Sequence, residues 1–291
     1  MTAAADPVAL RRRGYAITIL GVIWLSPDAL VLRLIGGEAM DVIGWRGGLS
    51  VVTLSALLVW RDGASAGRRL AAGGWPMVAV GLLYGLNSAA FVGAIELSPA
   101  ADVLVIIAAT PLVAALLGWL FLRELPDRVT MAAILLGAAG VGISAVGGVT
   151  GGSPLGIALA IATVVLLAGQ FTALRYWPQV DNVAAVLVGS ALMGAAAWAF
   201  ADPLAIQGEA RGWALLLGLA LTPIAFTLVS TGPRYLTSAE VSLMMLLETA
   251  LGPLWVWLVL DEAPPRTALI GGAVVIAAVA LSALAAARRT P

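Results

Sequence analysis

One ten-residue segment occurs twice in this chain. WLFLRELPDR, Trp119 to Arg128, returns 138 residues later as WLVLDEAPPR, Trp257 to Arg266, with six positions identical. The shared residues are Trp119/Trp257, Leu120/Leu258, Leu122/Leu260, Glu124/Glu262, Pro126/Pro264 and Arg128/Arg266. The same offset pairs Asp102 with Glu240, Ser144 with Ser282 and Trp75 with Trp213. Further upstream an offset of 142 pairs Gly14 with Gly156, Arg33 with Arg175 and Gly47 with Gly189. A period this long over most of the chain means a duplication, so any fold must be built from two similar halves.

Those halves are made for lipid. Apolar residues make up 61% of the chain and charged residues 11%, whereas soluble domains sit near 45–50% and about 25%. Mean hydropathy is +1.02. A membrane helix needs about 20 mostly apolar residues, and ten such windows are present: 14–35, 41–60, 75–95, 101–122, 129–147, 155–176, 183–201, 213–231, 240–260 and 267–287. Glycine, proline and polar clusters separate them. The longest connection, Arg61 to Gly74, has 14 residues and leaves no room for a soluble catalytic domain. Arg11-Arg12-Arg13 before an apolar run imitates a signal peptide. The run continues past Pro27 and Asp28 to Ile35 without a convincing small-residue cleavage site, so it reads as a retained first helix. The expected fold is an all-α membrane protein of ten transmembrane helices, arranged as two inverted five-helix repeats over residues 1–148 and 149–291.

The inversion follows from parity. Five helices per repeat is an odd number, so the second copy must cross the membrane in the opposite sense to the first. Arginine placement sets the orientation. With the N-terminus cytoplasmic, twelve arginines fall on the inside; Arg33, Arg46, Arg211 and Arg266 fall on the outside. Both termini are then cytoplasmic. Inverted repeats are the usual construction of secondary transporters, because the two halves can exchange conformations.

Several functions are excluded by residues the chain lacks. There is no histidine and no cysteine, which removes disulfides, thiolate metal sites, and histidine-dependent protease chemistry. There is no lysine to complete a P-loop, so direct ATP drive is not expected. Neither a filter-like loop nor a ring of like charge suggests a channel. No metal or cofactor is expected. The expected partners are a small-molecule substrate and the lipid bilayer. Nucleic acid is not among them, since net charge is zero. No motif specifies an oligomer, and a monomer is the working expectation.

Five-helix halves in inverted orientation, each carrying Trp-Leu-x-Leu-x-Glu-x-Pro after its fourth helix, resemble the EamA family of the drug/metabolite transporter superfamily. Glu124 and Glu262 fall on the family's helix-end glutamate. The resemblance covers nearly the whole chain. It implies a ten-helix exporter of small metabolites, most similar to YddG-type amino-acid exporters of bacterial inner membranes. Without lysine, an anionic phosphorylated substrate is disfavoured.

Intramembrane carboxylates are costly and mark functional positions. Glu248 lies near the middle of the ninth window, on a helical face with Val241, Met244, Met245, Gly252 and Trp255. That face suits a pocket for an amphiphilic molecule, although a hydrogen bond to a neighbouring helix would also account for the acid. Asp28 either receives a substrate ammonium group or pairs with Arg46. Tyr84, Asn87, Ser88 and Phe91 in the third window, Gln170 in the sixth (the repeat partner of Asp28), Trp24 in the first and Phe226 in the eighth complete the candidate substrate contacts. Each aromatic has packing as its ordinary alternative; Tyr and Trp rings also hold cationic amines.

Prolines 27, 111, 223 and 253 fall inside windows and free the carbonyls of Ile23, Ile107, Leu219 and Thr249. Pro27 corresponds to Gly169 and Pro223 to Gly85 across the repeat, making these four the hinge candidates. The glycine pairs Gly44/Gly48 and Gly81/Gly85 have the spacing that permits close helix contact. The expected function is export of small metabolites, chiefly aromatic and other apolar amino acids, by alternating access across a bacterial inner membrane. Glu248 is the coupling candidate, and facilitated diffusion is equally compatible. The alternative is a proton-coupled exporter of lipophilic cations.

Overall fold

The computed structural model describes residues 7–145, 153–202, 204–261 and 266–288. Among these residues every regular element is a helix. The first window is two helices, α1 (Pro7–Leu25) and α2 (Asp28–Ile35), and the second is α3 (Ala39–Asp62). The expected loop from Arg61 to Gly74 is instead largely helical: a short 3₁₀ turn leads into α4 (Ala66–Ala72). The third window is α5 (Gly74–Leu97); the fourth is α6 (Ala100–Ile107), α7 (Thr110–Leu117) and a π-helical turn (Gly118–Leu122). Next come α8 (Arg128–Ala145), α9 (Pro154–Tyr176) and α10 (Asn182–Trp198). The eighth window is α11 (Gly208–Leu216), a second π-helical turn (Leu217–Leu221) and α12 (Thr222–Val229). The ninth and tenth are α13 (Ser238–Leu260) and α14 (Arg266–Arg288). All ten windows are thus helical over most of their described residues. Eight are long and apolar enough to cross a membrane by themselves, and the apolar helices at Arg128–Ser144 and Asn182–Trp198 are shorter.

Three of the four proline-freed carbonyls find hydroxyl donors, as backbone in a membrane must. At the α1–α2 break Ser26 Oγ donates to Ile23 O at 2.7 Å. Between α6 and α7, Thr110 Oγ1 donates to Ile107 O at 2.5 Å. Before α12, Thr53 Oγ1 of α3 donates to Leu219 O at 2.8 Å, and Ser50 Oγ donates to the adjacent Gly218 O at 3.1 Å. Pro253, by contrast, sits inside an unbroken α13. At the glycines matched to Pro27 and Pro223 the helices are uninterrupted: α9 continues through Gly169 and α5 through Gly85. Glycine removes no backbone hydrogen bond, so without a proline ring the helix has nothing to break it.

Packing follows the duplication. The second span lies on the seventh (α3 on α10), the fifth on the tenth (α8 on α14), and the fourth on the ninth (α7 on α13). The third lies on the sixth (α5 on α9) and the first on the eighth (α1 on α12). Exchanging the halves converts each of these contacts into itself or into another one present, as a pseudo-two-fold axis requires. The backbone repeats even in detail: Arg123 and Asp261, partners across the repeat, both adopt left-handed conformations with φ of 58° and 57°. Small residues set the closest approaches. A Cβ on Gly85 would meet Gly189 O at 2.8 Å, and one on Gly47 would meet Gly194 Cα at 2.7 Å. Gly81 packs on the same stretch of α10, while Gly44 and Gly48 lie under the Trp198 ring. Gly85 is therefore a packing contact.

Side-chain pairs join the two halves at the end of the bundle where α1 begins, hereafter the arginine-rich end. Arg11 pairs with Glu240, Arg61 with Asp181 at 2.5 Å and Arg175 with Glu124 at 3.0 Å. Glu124, the helix-end residue of the duplicated decamer, thereby ties the fourth span to the sixth. Its counterpart Glu262, with Pro264, lies outside the described residues.

Candidate functional site

A cavity opens where the first, second, third, fourth, sixth, eighth and ninth spans converge, and its charged lining residues are Asp28, Arg46 and Glu248. Ten of its lining residues form five pairs across the repeat: Leu25/Leu167, Ser88/Phe226, Leu104/Ser242, Ile107/Met245 and Thr110/Glu248. The pseudo-two-fold axis therefore passes through this space. The charges do not obey it. Asp28 corresponds to Gln170, Arg46 to Val188 and Glu248 to Thr110, so a symmetric frame carries an asymmetric set of charges.

Each charge is placed by local structure. Asp28 begins α2 immediately after the Pro27 break, where the free backbone N–H groups of a helix start favour an acid. It is 1% exposed. Arg46, 2% exposed on α3, donates from Nη1 to Asp28 Oδ2 at 3.0 Å. Of the two expectations for Asp28, the ion pair is present, and both partners also face the cavity. Glu248 lies mid-way along α13 and opens into the same space with Thr249, Met245 and Ser242.

Six expected substrate contacts line the cavity: Asp28, Asn87, Ser88, Phe91, Phe226 and Glu248. Four do not. Trp24 is 44% exposed and turns its indole N–H toward Ala220 O at 3.4 Å. Tyr84 is fully buried behind the wall, edge-on to Phe226 with ring centroids 4.9 Å apart. Gln170 donates to Ser230 Oγ at 3.3 Å within the interface between the sixth and eighth spans. Met244 points into the core, and its neighbour Met245 takes the cavity position. Trp255, on the face expected for Glu248, donates to Ser26 Oγ at 2.7 Å and so braces the Pro27 break. Thr110 and Thr163 were absent from the expected set although both line the cavity. Thr110 could have been found by shifting Glu248 back along the repeat; no sequence signal marks Thr163.

In this conformation the cavity volume is about 40 Å³, against roughly 300–1,000 Å³ for ligand pockets. An amino acid enters only if the surrounding spans move. Its lining combines polar side chains, among them Asp28, Arg46, Asn87 and Ser88, with apolar and aromatic ones, Phe91, Phe226, Met245 and Leu167. It can hold an amphiphile. Among the described residues no group of histidine, cysteine, aspartate and glutamate could hold a metal ion.

No curated protein matches the sequence. Among solved structures, one crystal structure superposes with a TM-score of 0.79 at 20% identity, covering 94% of this chain and 98% of the other; that likeness concerns the fold. The EamA-like transporter family matches twice, at residues 14–146 and 154–284. The two matches coincide with the two halves that packing and backbone conformation relate, and together they span most of the chain. The protein belongs to the EamA-like transporter family, as a multi-pass membrane transporter of small molecules.

Proposed function

We propose that the protein exports apolar and aromatic amino acids across a bacterial inner membrane by alternating access of its two repeats, divided near residues 148 and 149. Both termini lie in the cytoplasm, which puts twelve arginines on the inside against Arg33, Arg211 and Arg266 outside, Arg46 being buried at the cavity. The observation that carries the reading is the cavity on the pseudo-two-fold axis, whose lining combines one cation and two acids with aromatic rings and a methionine. An amino acid has both a charged head and an apolar tail to match such a lining. Trp24, Tyr84, Gln170 and Met244 support the walls, and Pro27 and Pro223 are where the spans bend. Glu248 couples transport to a proton.

The balance of two acids against one cation also favours a second reading, export of lipophilic cations. Counterflow separates the two. Liposomes containing only the purified protein are loaded with unlabelled amino acid and offered labelled Phe, Trp, Met, Thr, Lys or Glu, with and without a pH gradient. Stereoselective uptake supports the first reading. No amino-acid uptake, with movement of an organic cation, supports the second. Glu248→Gln should lower the rate more than tenfold, the scale of about 1.4 kcal/mol; wild-type rates from the folded variant would remove Glu248 from the mechanism.

A further inference from the structure

Arg46 is the least expected group in the cavity. A guanidinium inside a membrane is costly, and its contact with Asp28 leaves it incompletely bonded. Nη1 reaches Asp28 Oδ2 at 3.0 Å, but Arg46 Nε and Asp28 Oδ1 are both buried without a partner. Three further buried polar atoms around the same space also lack partners: Asn87 Oδ1, Ser88 Oγ and Ser242 Oγ. Buried polar atoms in native proteins are bonded in the large majority of cases. Five orphans around one cavity mark the places where another molecule supplies the bonds.

We propose that Arg46 and Asp28 form the receptor for a zwitterionic head group, with the substrate carboxylate on the Arg46 guanidinium and the substrate ammonium between Asp28 and Glu248. The proposal rests on the amino-acid reading above and assigns the residue that distinguishes that cargo from a simple cation. The guanidinium presents five donors in a planar fork that matches a carboxylate, and an ammonium group has three donors to distribute between two acids. A zwitterion brings both charges at once, so loading adds no net charge to a site removed from water. A lipophilic cation would answer the two acids but leave the buried Arg46 fork without a carboxylate; a carboxylic acid without an amine would answer Arg46 but add a third negative charge beside Asp28 and Glu248. Repulsion and unmatched burial disfavour both. The receptor exists once, because the duplicated positions carry Gln170, Val188 and Thr110. That fixes a single orientation of the substrate, with its side chain toward Phe91, Phe226 and Met245.

The competing account is that Asp28 and Arg46 only brace the helices. Replacing both members of a buried pair is often tolerated, whereas removing one strands a charge. The double variant Asp28→Asn/Arg46→Gln therefore separates the two accounts, together with analogues tested on the unaltered protein. Labelled L-phenylalanine counterflow is competed with L-phenylalanine, 2-phenylethylamine and 3-phenylpropionate. For the unaltered protein both analogues should compete at least roughly tenfold more weakly than phenylalanine, since each leaves buried groups unpaired. The double variant should remain monodisperse and lose phenylalanine counterflow by a similar factor, and Arg46→Lys should not restore it, lacking the fork. Equal competition by the amine, or wild-type counterflow and selectivity in the double variant, overturns the receptor while leaving amino-acid export standing. Failure of the unaltered protein to move any amino acid overturns both. Should the double variant not fold, the analogue series on the unaltered protein still decides.

Discussion

Glu240 and Asp102 occupy the same place in the two repeats, at the third position of the helices α13 and α6, yet their surroundings have nothing in common. At the arginine-rich end Glu240 receives Arg11, the Tyr15 hydroxyl at 2.9 Å, and both the backbone N–H and hydroxyl of Thr237 at 2.9 and 3.0 Å. Tyr15 in turn meets Ser282 Oγ at 3.0 Å. At the opposite end both carboxyl oxygens of Asp102 are buried without a partner. The sequence explains the contrast residue by residue. The counterpart of Thr237 is Pro99, which has neither hydroxyl nor N–H to offer, and those of Arg11 and Tyr15 are Ser153 and Ile157. Ser153 accepts from Gly156 N instead, at 3.0 Å. Ser144, the counterpart of Ser282, turns back to Gly140 O at 3.2 Å.

The difference identifies which end holds the halves together. Arg11–Glu240, Arg61–Asp181 and Arg175–Glu124 all bridge the repeats at the arginine-rich end. At the far end the Asp202 N–H donates to Asp41 Oδ1 across the repeats at 2.8 Å. On the proposed alternating-access reading, the two halves rock between mirror-related states, and the ion pairs at the arginine-rich end bias that equilibrium toward closure there.

The largest effect on this contrast should come from Glu240→Gln, which weakens four contacts at once. Glu240 is nearly buried and Arg11 about one-third exposed, so the loss should be about 1–2 kcal/mol, a near-tenfold shift toward opening. The absence of native cysteine makes this measurable: Thr18→Cys, buried near Gly232, should react faster with a charged thiol reagent when Glu240→Gln is present. Unchanged labelling would mean that Glu240 does not hold this end closed.

A smaller effect is expected from Pro99→Thr, which gives Asp102 the hydroxyl that Glu240 enjoys. An added helix cap contributes about 1 kcal/mol, so thermal stability should rise by a few degrees and the two ends should become more alike. A fall in melting temperature would show that Pro99 is needed for the entry into α6. The smallest effect belongs to Glu124→Ala or Arg175→Ala. Both side chains are about one-third exposed, and such pairs contribute about 0–1 kcal/mol. Labelling at Thr18→Cys should change less than threefold, and added salt should erase the difference. An effect equal to that of Glu240→Gln would make the three bridges equivalent and remove Glu240 from its special place.

The ten helical spans, their grouping into two halves and the interruption of the first span at Pro27 were legible in the chain because each depends on local chemistry: apolar length, turn residues, and a ring that removes a donor. The pairing of Asp28 with Arg46 was visible as one of two alternatives. The cavity contacts were only half legible. Helical spacing places Glu248, Met244 and Met245 on one face, but a face is about 100° wide and does not say which of its members meets a neighbour and which meets a void. Tertiary packing sent Met244 into the core and Met245 into the cavity, and it enclosed Tyr84 and Gln170 between helices.

The repeat in the sequence determined that the molecule would have a pseudo-two-fold axis, since similar sequences fold alike and an odd number of crossings inverts one copy. Where that axis runs, which charges converge on it and which end is clasped were decided only in the tertiary structure. Those features depend on distances between residues far apart in the chain, and helical periodicity carries no information about such distances.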